Sequence, residues 1–400
     1  ILGAAAGVGV FDGRALAQVE EVSRLGVPSV AEQLLALRAP GEHAASAPPA
    51  HGSKGKIPEE EAPASCPEPS AAAGRVILMG QILVDLAVRG EALPSPGGDV
   101  WAVDEGMHVG GGFNALVAAR RMGAEALSLS PIGEGPYSSL IQAALAREGI
   151  TDAGPRVAGI DNGFCIAFTD RTGERTFIST KGAETMVPAS AWADIVRTMN
   201  PGDVLYVDGY LMDHPANREA AEAALRVLPE GVRVVLDVSP VIGIPSALPS
   251  DGVIVSMNHM EAQEIAHQRG DASVRNQQCL HPREAVRAML AALGRPVLLR
   301  AGAEGAYFVR SCDAVLSAPD TDPSYIPTPR VEAIDTNGAG DAHSGVLAAS
   351  LAQGIPLKRA LLLANCAGAL STTVVGPASC PPRDQIEAAA DALEASTCEA

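Results

Sequence analysis

From Gly74 onward, apolar runs rich in β-branched residues alternate with segments of helical periodicity, and this alternation limits the possible folds more than any other feature of the chain. The predicted strands are RVILMGQILVDLAV (75–88), ALSLSPIG (126–133), DVLYVDG (203–209), VRVVLDVS (232–239), GVIVSMN (252–258) and PVLLRAG (296–302). Predicted helices lie between most of them, such as YSSLIQAALAREG (137–149) and PREAVRAMLAALG (282–294). Strands that are apolar on both faces and joined by helices predict an α/β fold with a mostly parallel central sheet covered by helices on both faces.

Residues 164–178, FCIAFTDRTGERTFI, have a different pattern, in which the polar turn residues DRTG separate two short β-prone runs. This pattern predicts a hairpin. In an α/β protein we expect such a hairpin to be an accessory flap, and we predict a small β lid formed by residues 82–108 and 164–178.

The chain divides unevenly before this domain. Residues 1–38 carry short helical patterns and no residues that indicate chemistry. Residues 39–74 are rich in Pro, Ala, Ser and Glu, and this composition predicts a disordered linker because it cannot build a core. Residues 75–395 are therefore predicted to form the folded domain.

Composition and charge exclude several classes of function. A formal net charge of -18 disfavours nucleic acid as a partner, because binding a phosphate backbone needs clustered Lys and Arg. The seven cysteines are scattered and nowhere spaced as CxxC, so neither a zinc site nor a disulfide framework is indicated, and a reducing cytosol is expected. No apolar run approaches the length that spans a membrane, so no membrane partner is expected.

The stretch AIDTNGAGDAHSGVLAASLAQG (333–354) places small residues where an extended segment turns into a helix. The helix is predicted to begin at the Gly338-Ala339-Gly340 turn and to end near residue 353, with Gly354 as its left-handed stop. The first amides of this helix lack intrahelical partners, so they can bind an anion. Asp341 follows directly, and its carboxylate could accept the proton of a hydroxyl that attacks this anion, as phosphoryl transfer requires.

A structural alternative exists for the same residues. Asp335 could cap the turn and Asp341 could complement the helix dipole, with the glycines allowing close helix packing. Local sequence alone does not decide between the two interpretations.

A longer pattern favours the chemical interpretation: DTNGAGD (335–341) resembles the DTxGAGD motif of the PfkB/ribokinase family of carbohydrate and nucleoside kinases. The resemblance covers residues 75–395 and implies a ribokinase-like fold. It also implies that Asp341 is the catalytic base, with Gly338, Ala339, Gly340 and the Asn337 amide around the transferred phosphoryl group.

The segment VGGGFNALVAARRMGA (109–124) resembles the family's GGxxxNxAxxxxxLG segment, with Asn114 at its Asn. The resemblance implies that Asp85, Gly110, Gly111 and Asn114 contact sugar hydroxyls. Val109 stands where the family has the first Gly of its pair, so we expect a narrower pocket wall. As an alternative, the segment is a Gly-rich loop before a core helix, with Asn114 as the N-cap.

On the nucleotide side, Asn258 and Glu261 in SMNHMEAQEI (256–265) look like the family's NxxE motif, which implies that they organise waters around Mg²⁺ on the phosphates. The alternative is a capping box between the same two residues, and the two roles could coexist. LLRAGAEGAYFV (298–309) resembles the nucleotide-side loop, with Gly302 and Gly305 matching. Arg300 stands where the family often has Thr, and it could meet a phosphate or a surface carboxylate.

LANCAGALSTTVVGP (363–377) is similar to the family's last nucleotide-site helix and loop, with Asn365 near the adenine. This loop, Asp335 and the Asn337 carbonyl could hold a monovalent cation, as in potassium-activated relatives. His343 stands where the family often has Phe, and it could tune the site or pack on the next helix.

These inferences predict an ATP-dependent, magnesium-requiring kinase that phosphorylates a primary hydroxyl of a small sugar. A nucleoside kinase of the same family is the nearest alternative, although only 3% of the residues are aromatic. A non-catalytic sugar-binding protein is a weaker one, because a pure binder needs no base. Flaps of this kind often pair in the family, so a homodimer is possible.

Overall fold

The computed structural model describes residues 73–172, 174–269, 281–310 and 323–398. The predicted helical segment 1–38, and the predicted linker up to residue 72, lie outside the described residues. Within the described ranges, no helix combines the length and the apolar character needed to cross a bilayer.

Thirteen strands are present in the part of the chain that the structure describes. They are β1 (Arg75–Met79), β2 (Ile82–Arg89), β3 (Asp104–Gly111), β4 (Glu125–Ser128), β5 (Thr151–Asp152), β6 (Phe164–Thr169), β7 (Arg175–Ser179), β8 (Val204–Asp208), β9 (Arg233–Asp237), β10 (Val253–Asn258), β11 (Val297–Arg300), β12 (Ala306–Val309) and β13 (Ser324–Ile326). Nine of them form the central sheet in the order β13-β12-β11-β10-β9-β8-β1-β4-β5. All neighbours from β11 to β5 pair in parallel, and β12 and β13 are antiparallel additions at one edge. The predicted α/β fold with a mostly parallel sheet is confirmed.

The described helices cover the sheet on both faces. They are α1 (Phe113–Arg121), α2 (Pro136–Arg147), α3 (Ala191–Val196), α4 (Pro215–Leu225), α5 (His259–Gln268), α6 (Pro282–Leu293), α7 (Ala339–Ala352), α8 (Leu357–Ser371) and α9 (Arg383–Cys398). Alternate residues of β1 belong to two separate hydrophobic clusters, one with α1, α2, α7, α8 and α9 and the other with α3, α4, α5 and α6. A strand buried on both faces must be apolar at every position, as these runs are.

The run RVILMGQILVDLAV, predicted as one strand, is two strands that belong to different sheets. It breaks at Gly80, where a Cβ atom would lie 2.0 Å from Oδ2 of Asp208. The next amide, that of Gln81, donates to the same carboxylate at 3.0 Å. The break depends on this contact with a residue more than a hundred positions away, and for this reason the apolar pattern does not reveal it.

The second sheet has four strands in the order β3-β2-β6-β7 and forms a separate lid. The predicted hairpin at 164–178 is present as the antiparallel pair β6 and β7. Strand β2 lies between β3, which is antiparallel to it, and β6, which is parallel. The lid extends from the carboxyl end of β1, so it lies on the same side as the polar ends of the parallel strands.

Candidate active site at the carboxyl edge of the sheet

Four neighbouring parallel strands end in polar residues. Asp208, Asp237, Asn258 and Arg300 are the last residues of β8, β9, β10 and β11. Asp208 is level with Asp237 in the sheet, and Asn258 is level with Arg300. These side chains therefore lie along one edge, where α/β sheets bind their ligands. Sequence reasoning assigned no role to the two aspartates, which lie inside the predicted strands 203–209 and 232–239, close to their carboxyl ends.

The turn that precedes α7 requires glycine at position 338. Gly338 has a φ of +75°, and a Cβ atom there would lie 1.9 Å from the carbonyl oxygen of Pro377. A side chain would therefore suffer both backbone strain and a steric clash. Helix α7 begins at the next residue, Ala339, whose amide reaches the Thr336 carbonyl only at 3.4 Å.

The first amides of α7 are arranged for an anion, with one difference from the predicted set. Among the described residues, the amides of Gly338, Gly340 and Asp341 have no hydrogen-bond acceptor. The amide of Asn337, predicted to belong with them, donates to the Asp335 carboxylate at 2.9 Å. An anion at this helix terminus would thus meet the amides that follow Asn337 and the positive end of the helix dipole.

The Asp341 carboxylate lies beside these amides and accepts one hydrogen bond, from Nδ2 of Asn114 at 3.0 Å. Burial raises the pKa of Asp341 to about 7, with the Asp237 charge adding to the rise and the Asn114 amide and Arg300 opposing it. Asn114 Oδ1 is buried and has no partner among the described residues. A polar group of a substrate could satisfy this orphaned acceptor.

Asn114 is not a helix cap. Helix α1 begins at Phe113 with Gly112 as its N-cap, so the capping alternative for Asn114 is wrong. Its side chain instead crosses to α7, a contact between residues 227 positions apart.

The predicted sugar-binding residues lie on the lid and at its junction with the sheet. A Cβ atom at Gly110 would lie 2.0 Å from Oδ2 of Asp85, so the bare backbone of β3 is what leaves room for this carboxylate. Burial raises the pKa of Asp85 to about 6. Gly111 has a φ of +67° and approaches the Gln81 carbonyl closely. Val109 is buried in the core on the opposite face of β3, so it does not narrow the pocket wall as expected.

Arg300 pairs with buried carboxylates inside the protein, and not with a phosphate or a surface carboxylate as expected. Its guanidinium donates to both carboxylate oxygens of Asp237, at 2.6 and 3.0 Å, and lies 3.4 Å from Oε2 of Glu261. It also donates to the Gly340 carbonyl at 3.3 Å and to Ser344 at 3.2 Å. Burial would lower the pKa of Arg300, but the Asp237 and Glu261 carboxylates raise it above its ordinary value. The guanidinium thus lies beneath the first turn of α7.

The capping alternative for the NxxE segment is confirmed. Asn258 is the N-cap of α5: its Oδ1 accepts the Glu261 amide at 2.9 Å, and the Glu261 carboxylate accepts the Asn258 amide at 2.6 Å. The Nδ2 group of Asn258 also donates to Glu261 at 2.9 Å. Both oxygens of Glu261 are therefore engaged, and this pair fits Mg²⁺ through bridging waters only. The described residues contain no group of three or more His, Cys, Asp or Glu that could hold a metal.

Asp335 is fully engaged as well. Its carboxylate accepts hydrogen bonds from the Asn337 and Gly376 amides, at 2.9 and 3.1 Å. It also forms an ion pair with Arg175 on β7. Burial would raise the pKa of Asp335, but these amides and the guanidinium hold it below its ordinary value. The Arg175 guanidinium already supplies a positive charge at Asp335, and its repulsion disfavours the predicted monovalent cation beside this carboxylate.

Asn365 and His343 bond to each other inside the protein. Nδ2 of Asn365 donates to the carbonyls of Ile326 and Pro327, each at 3.0 Å, and Oδ1 lies 3.2 Å from Nε2 of His343. Both hydrogens of Nδ2 are thus used, so this group could donate to adenine only if one of its two bonds broke. Burial lowers the pKa of His343 to about 3, so the neutral ring packs on the next helix, as the second alternative predicted.

Gly302 and Gly305 lie in the turn between β11 and β12, close to the end of the Arg300 strand. Both have positive φ values, of +56° and +85°. A Cβ atom at Gly305 would lie 2.4 Å from the Ile326 carbonyl, whereas Gly302 is exposed with open space around it. Gly302 therefore leaves an open backbone surface at this edge of the sheet.

The chain is similar to known kinases over most of its length. Residues 74–384 match the model of the "pfkB family carbohydrate kinase" family. A protein of Escherichia coli (strain K12) named "Uncharacterized sugar kinase YegV" is 33% identical over 315 residues, which cover 75% of this chain and 88% of that protein.

Two solved structures show the same fold. Ribokinase from Thermotoga maritima superposes with a TM-score of 0.65 at 22% identity, covering 79% of this chain and 98% of that one. Arabidopsis thaliana ribokinase, solved with ribose and ATP, gives a TM-score of 0.62 at 22% identity, covering 80% and 99%. At these identities the structures establish the fold, and the match of the family model establishes the family. From the DTNGAGD turn, the parallel sheet with its β lid and this match together, the chain belongs to the pfkB family of carbohydrate kinases.

Proposed function

We propose that this kinase transfers the γ-phosphoryl group of ATP to a primary hydroxyl of a small sugar, with Asp341 as the general base. The observation that carries the proposal is the position of the Asp341 carboxylate. It lies beside unpartnered amides at the start of α7 and is held by one side-chain amide, from Asn114. A base next to an anion hole is the arrangement that phosphoryl transfer to an alcohol needs.

The sugar binds between the lid and the carboxyl edge of the sheet. Asp85 and the backbone of Gly110 and Gly111 face its hydroxyls, and the orphaned Oδ1 of Asn114 accepts a hydrogen bond from one of them. Asn114 would then contact both the sugar and the base, and so would align the primary hydroxyl with the Asp341 carboxylate.

Asp341 takes the proton of the primary hydroxyl as its oxygen attacks the γ-phosphorus. A carboxyl with a pKa of about 7 is a stronger base than an ordinary one and is still substantially ionised at neutral pH. Arg300 favours the ionised form of Asp341, and the Asp237 charge opposes it. The base is thus set between two opposing charges at the strand ends.

The negative charge on the transferred group is stabilised by this chain's own dipoles. The amides of Gly338, Gly340 and Asp341 and the helix dipole point at the phosphoryl oxygens. When bound on the nucleotide, Mg²⁺ supplies further neutralisation, and Asn258 and Glu261 would hold it through waters. The lid excludes water that would otherwise compete with the sugar as acceptor.

Three aromatic side chains near the proposed pocket, those of Phe113, Phe164 and Phe168, do not favour a nucleoside over a sugar. Phe113 and Phe168 are buried in the core, at 3% and 8% exposure, so neither offers a free face to a base. Phe164 is partly buried and its ring lies against Tyr137, with centroids 5.3 Å apart. A nucleoside would gain little stacking from these rings.

The test is ADP release with a panel of acceptors: ribose, fructose and other small sugars against adenosine and pseudouridine, each with Mg²⁺ and ATP. We expect sugar-dependent ADP release that the Asp341→Asn variant lacks, while the variant still binds ATP. Turnover with nucleosides alone would reject the sugar assignment. Near-wild-type turnover in Asp341→Asn would reject the assigned base.

A further inference from the structure

The Asp335 carboxylate joins three separate parts of the chain. Arg175 comes from strand β7 of the lid, the Asn337 amide from the turn before α7, and the Gly376 amide from the loop after α8. In addition, the amides of Ile334 and Asp335 donate to the Thr372 carbonyl at 2.7 and 3.0 Å. The turn that carries the anion hole is therefore tied to the α8 loop by backbone bonds and to the lid through one side chain.

The positive charge at this junction comes from the protein itself. The Arg175 guanidinium is always charged, and the side chains of Arg175 and Asp335 are only 31% and 14% exposed. A charge-assisted hydrogen bond between partly buried groups is stronger than a surface pair. A monovalent cation at this carboxylate would lie next to the guanidinium on Oδ1 and would be repelled by its charge.

We propose that Arg175 is a positioning residue that supplies, from the lid, the positive charge at Asp335, so that the anion-hole turn is ordered without a bound monovalent cation. The proposal rests on the proposed function for its catalytic consequence, but its structural claim does not. Because the same ion pair joins the lid to the turn, closing the lid over a sugar also fixes the nucleotide side. Binding of sugar and of nucleotide should therefore be mutually favourable.

The first experiment compares thermal unfolding in KCl and in choline chloride at equal ionic strength, without substrates. Wild type should have the same Tm in both salts. Arg175→Ala should lose stability in choline chloride, and K⁺ should raise its Tm by about 2 °C or more, because the vacated site then binds the ion. Arg156→Gln removes a different Arg–Asp ion pair, with Asp152 on the edge strand β5 at 2.7 Å, and should show no K⁺ effect.

The second experiment measures kcat and KM for ATP in the same salts. Wild type should be active in choline chloride, whereas Arg175→Ala should lose about tenfold in kcat/KM, the equivalent of one charge-assisted hydrogen bond. K⁺ or low guanidinium should restore much of this loss, and Arg175→Lys should remain largely independent of K⁺. A purely structural role would give a loss that no cation restores.

Two results would overturn the proposal. One is a wild-type enzyme whose Tm and activity both require K⁺. The other is an Arg175→Ala variant that behaves like Arg156→Gln in both salts. Absence of kinase activity with every acceptor would instead reject the proposed function, and the unfolding experiment would still decide the role of Arg175.

Discussion

Asp335 and Asp341 stand at the two ends of one turn, and their surroundings are opposite. Asp335 accepts two backbone amides and the Arg175 guanidinium, which hold its pKa below the ordinary value despite burial. Asp341 accepts one hydrogen bond, from the Asn114 side-chain amide, and burial raises its pKa to about 7. The two carboxylates belong to one motif but are arranged for different tasks.

Partners from elsewhere in the chain therefore assign the roles of the two carboxylates within the motif. A carboxylate whose oxygens are saturated by amides and a cation is a weak base and a good anchor. A carboxylate with few partners and a pKa near neutrality is suited to accept a proton. We therefore assign Asp335 to holding the turn and Asp341 to the chemistry.

Replacing each carboxylate by its amide tests this assignment with the largest expected effect. Asp341→Asn should lower kcat by about 10² to 10⁴, the usual contribution of a general base, with ATP affinity retained. Asp335→Asn should act mainly on KM for ATP, because it weakens the anchor and leaves the base. Steady-state kinetics and nucleotide titration measure both variants. Equal losses of kcat would remove the distinction between them.

Removing the Arg300 charge beneath the first turn of α7 should give the largest change in stability. Arg300→Met leaves the Asp237 and Glu261 carboxylates buried without their cation, which should cost about 3–5 kcal/mol of unfolding free energy. Arg359→Met is the matched control, because Arg359 pairs with two exposed carboxylates and should contribute about 1 kcal/mol or less. Urea denaturation measures the unfolding free energy of both variants. Similar losses would show that the buried Arg300 network contributes no more to stability than an exposed ion pair.

Adding a methyl group between the two ends tests the geometry of the anion hole. Gly338→Ala places a Cβ atom against the Pro377 carbonyl and should lower kcat by about 10² to 10³, the effect of losing an oxyanion donor. Gly354→Ala, at a φ of +72° with no atom within 4 Å, carries the backbone strain without the clash. It should lower Tm but keep kcat. Normal turnover in Gly338→Ala would show that this turn does not bind the phosphoryl group.

Removing the hydrogen bond from the Asn114 side chain to Asp341 should have the smallest effect of these substitutions. The Asn114 hydrogen bond lowers the pKa of Asp341, so Asn114→Leu should raise that pKa further. The base would then stay protonated to higher pH, and the acidic limb of kcat/KM should move upward by about one pH unit. Activity lost at pH 7 should partly return at higher pH. A loss of activity that is constant at all pH values would assign Asn114 to sugar binding alone.

The fold was predictable where its signals are local. The apolar runs predict the strand end at Asn258, and they place the ends at Asp208 and Asp237 to within one and two residues. Helix α7 matches its predicted limits because Gly338 and Gly354 bound it. The break at Gly80 was not predictable, because it depends on a carboxylate on another strand. Periodicity describes one element at a time and cannot represent such a contact.

The site was predictable in its residue types and not in its pairings. The motif places Asp341 next to a helix terminus, but nothing local indicates that Asn114 reaches it. The Arg175–Asp335 and Arg300–Asp237 pairs join residues 160 and 63 positions apart. Because these pairs set the charge balance of the site, they determine which carboxylate a cation keeps ionised and which one can take up a proton near neutral pH.

The pH dependence of kcat/KM for the sugar, in wild type and in Asp341→Asn, decides whether Asp341 is the general base. In wild type we expect kcat/KM to rise about tenfold per pH unit below pH 7 and to level off above it, as the base loses its proton. The variant, assayed with the same ATP, controls for titration of the nucleotide and should be low throughout without this limb. A wild-type profile that is flat from pH 5 to 8, or a variant that keeps the limb, would contradict the assignment of Asp341 as the base.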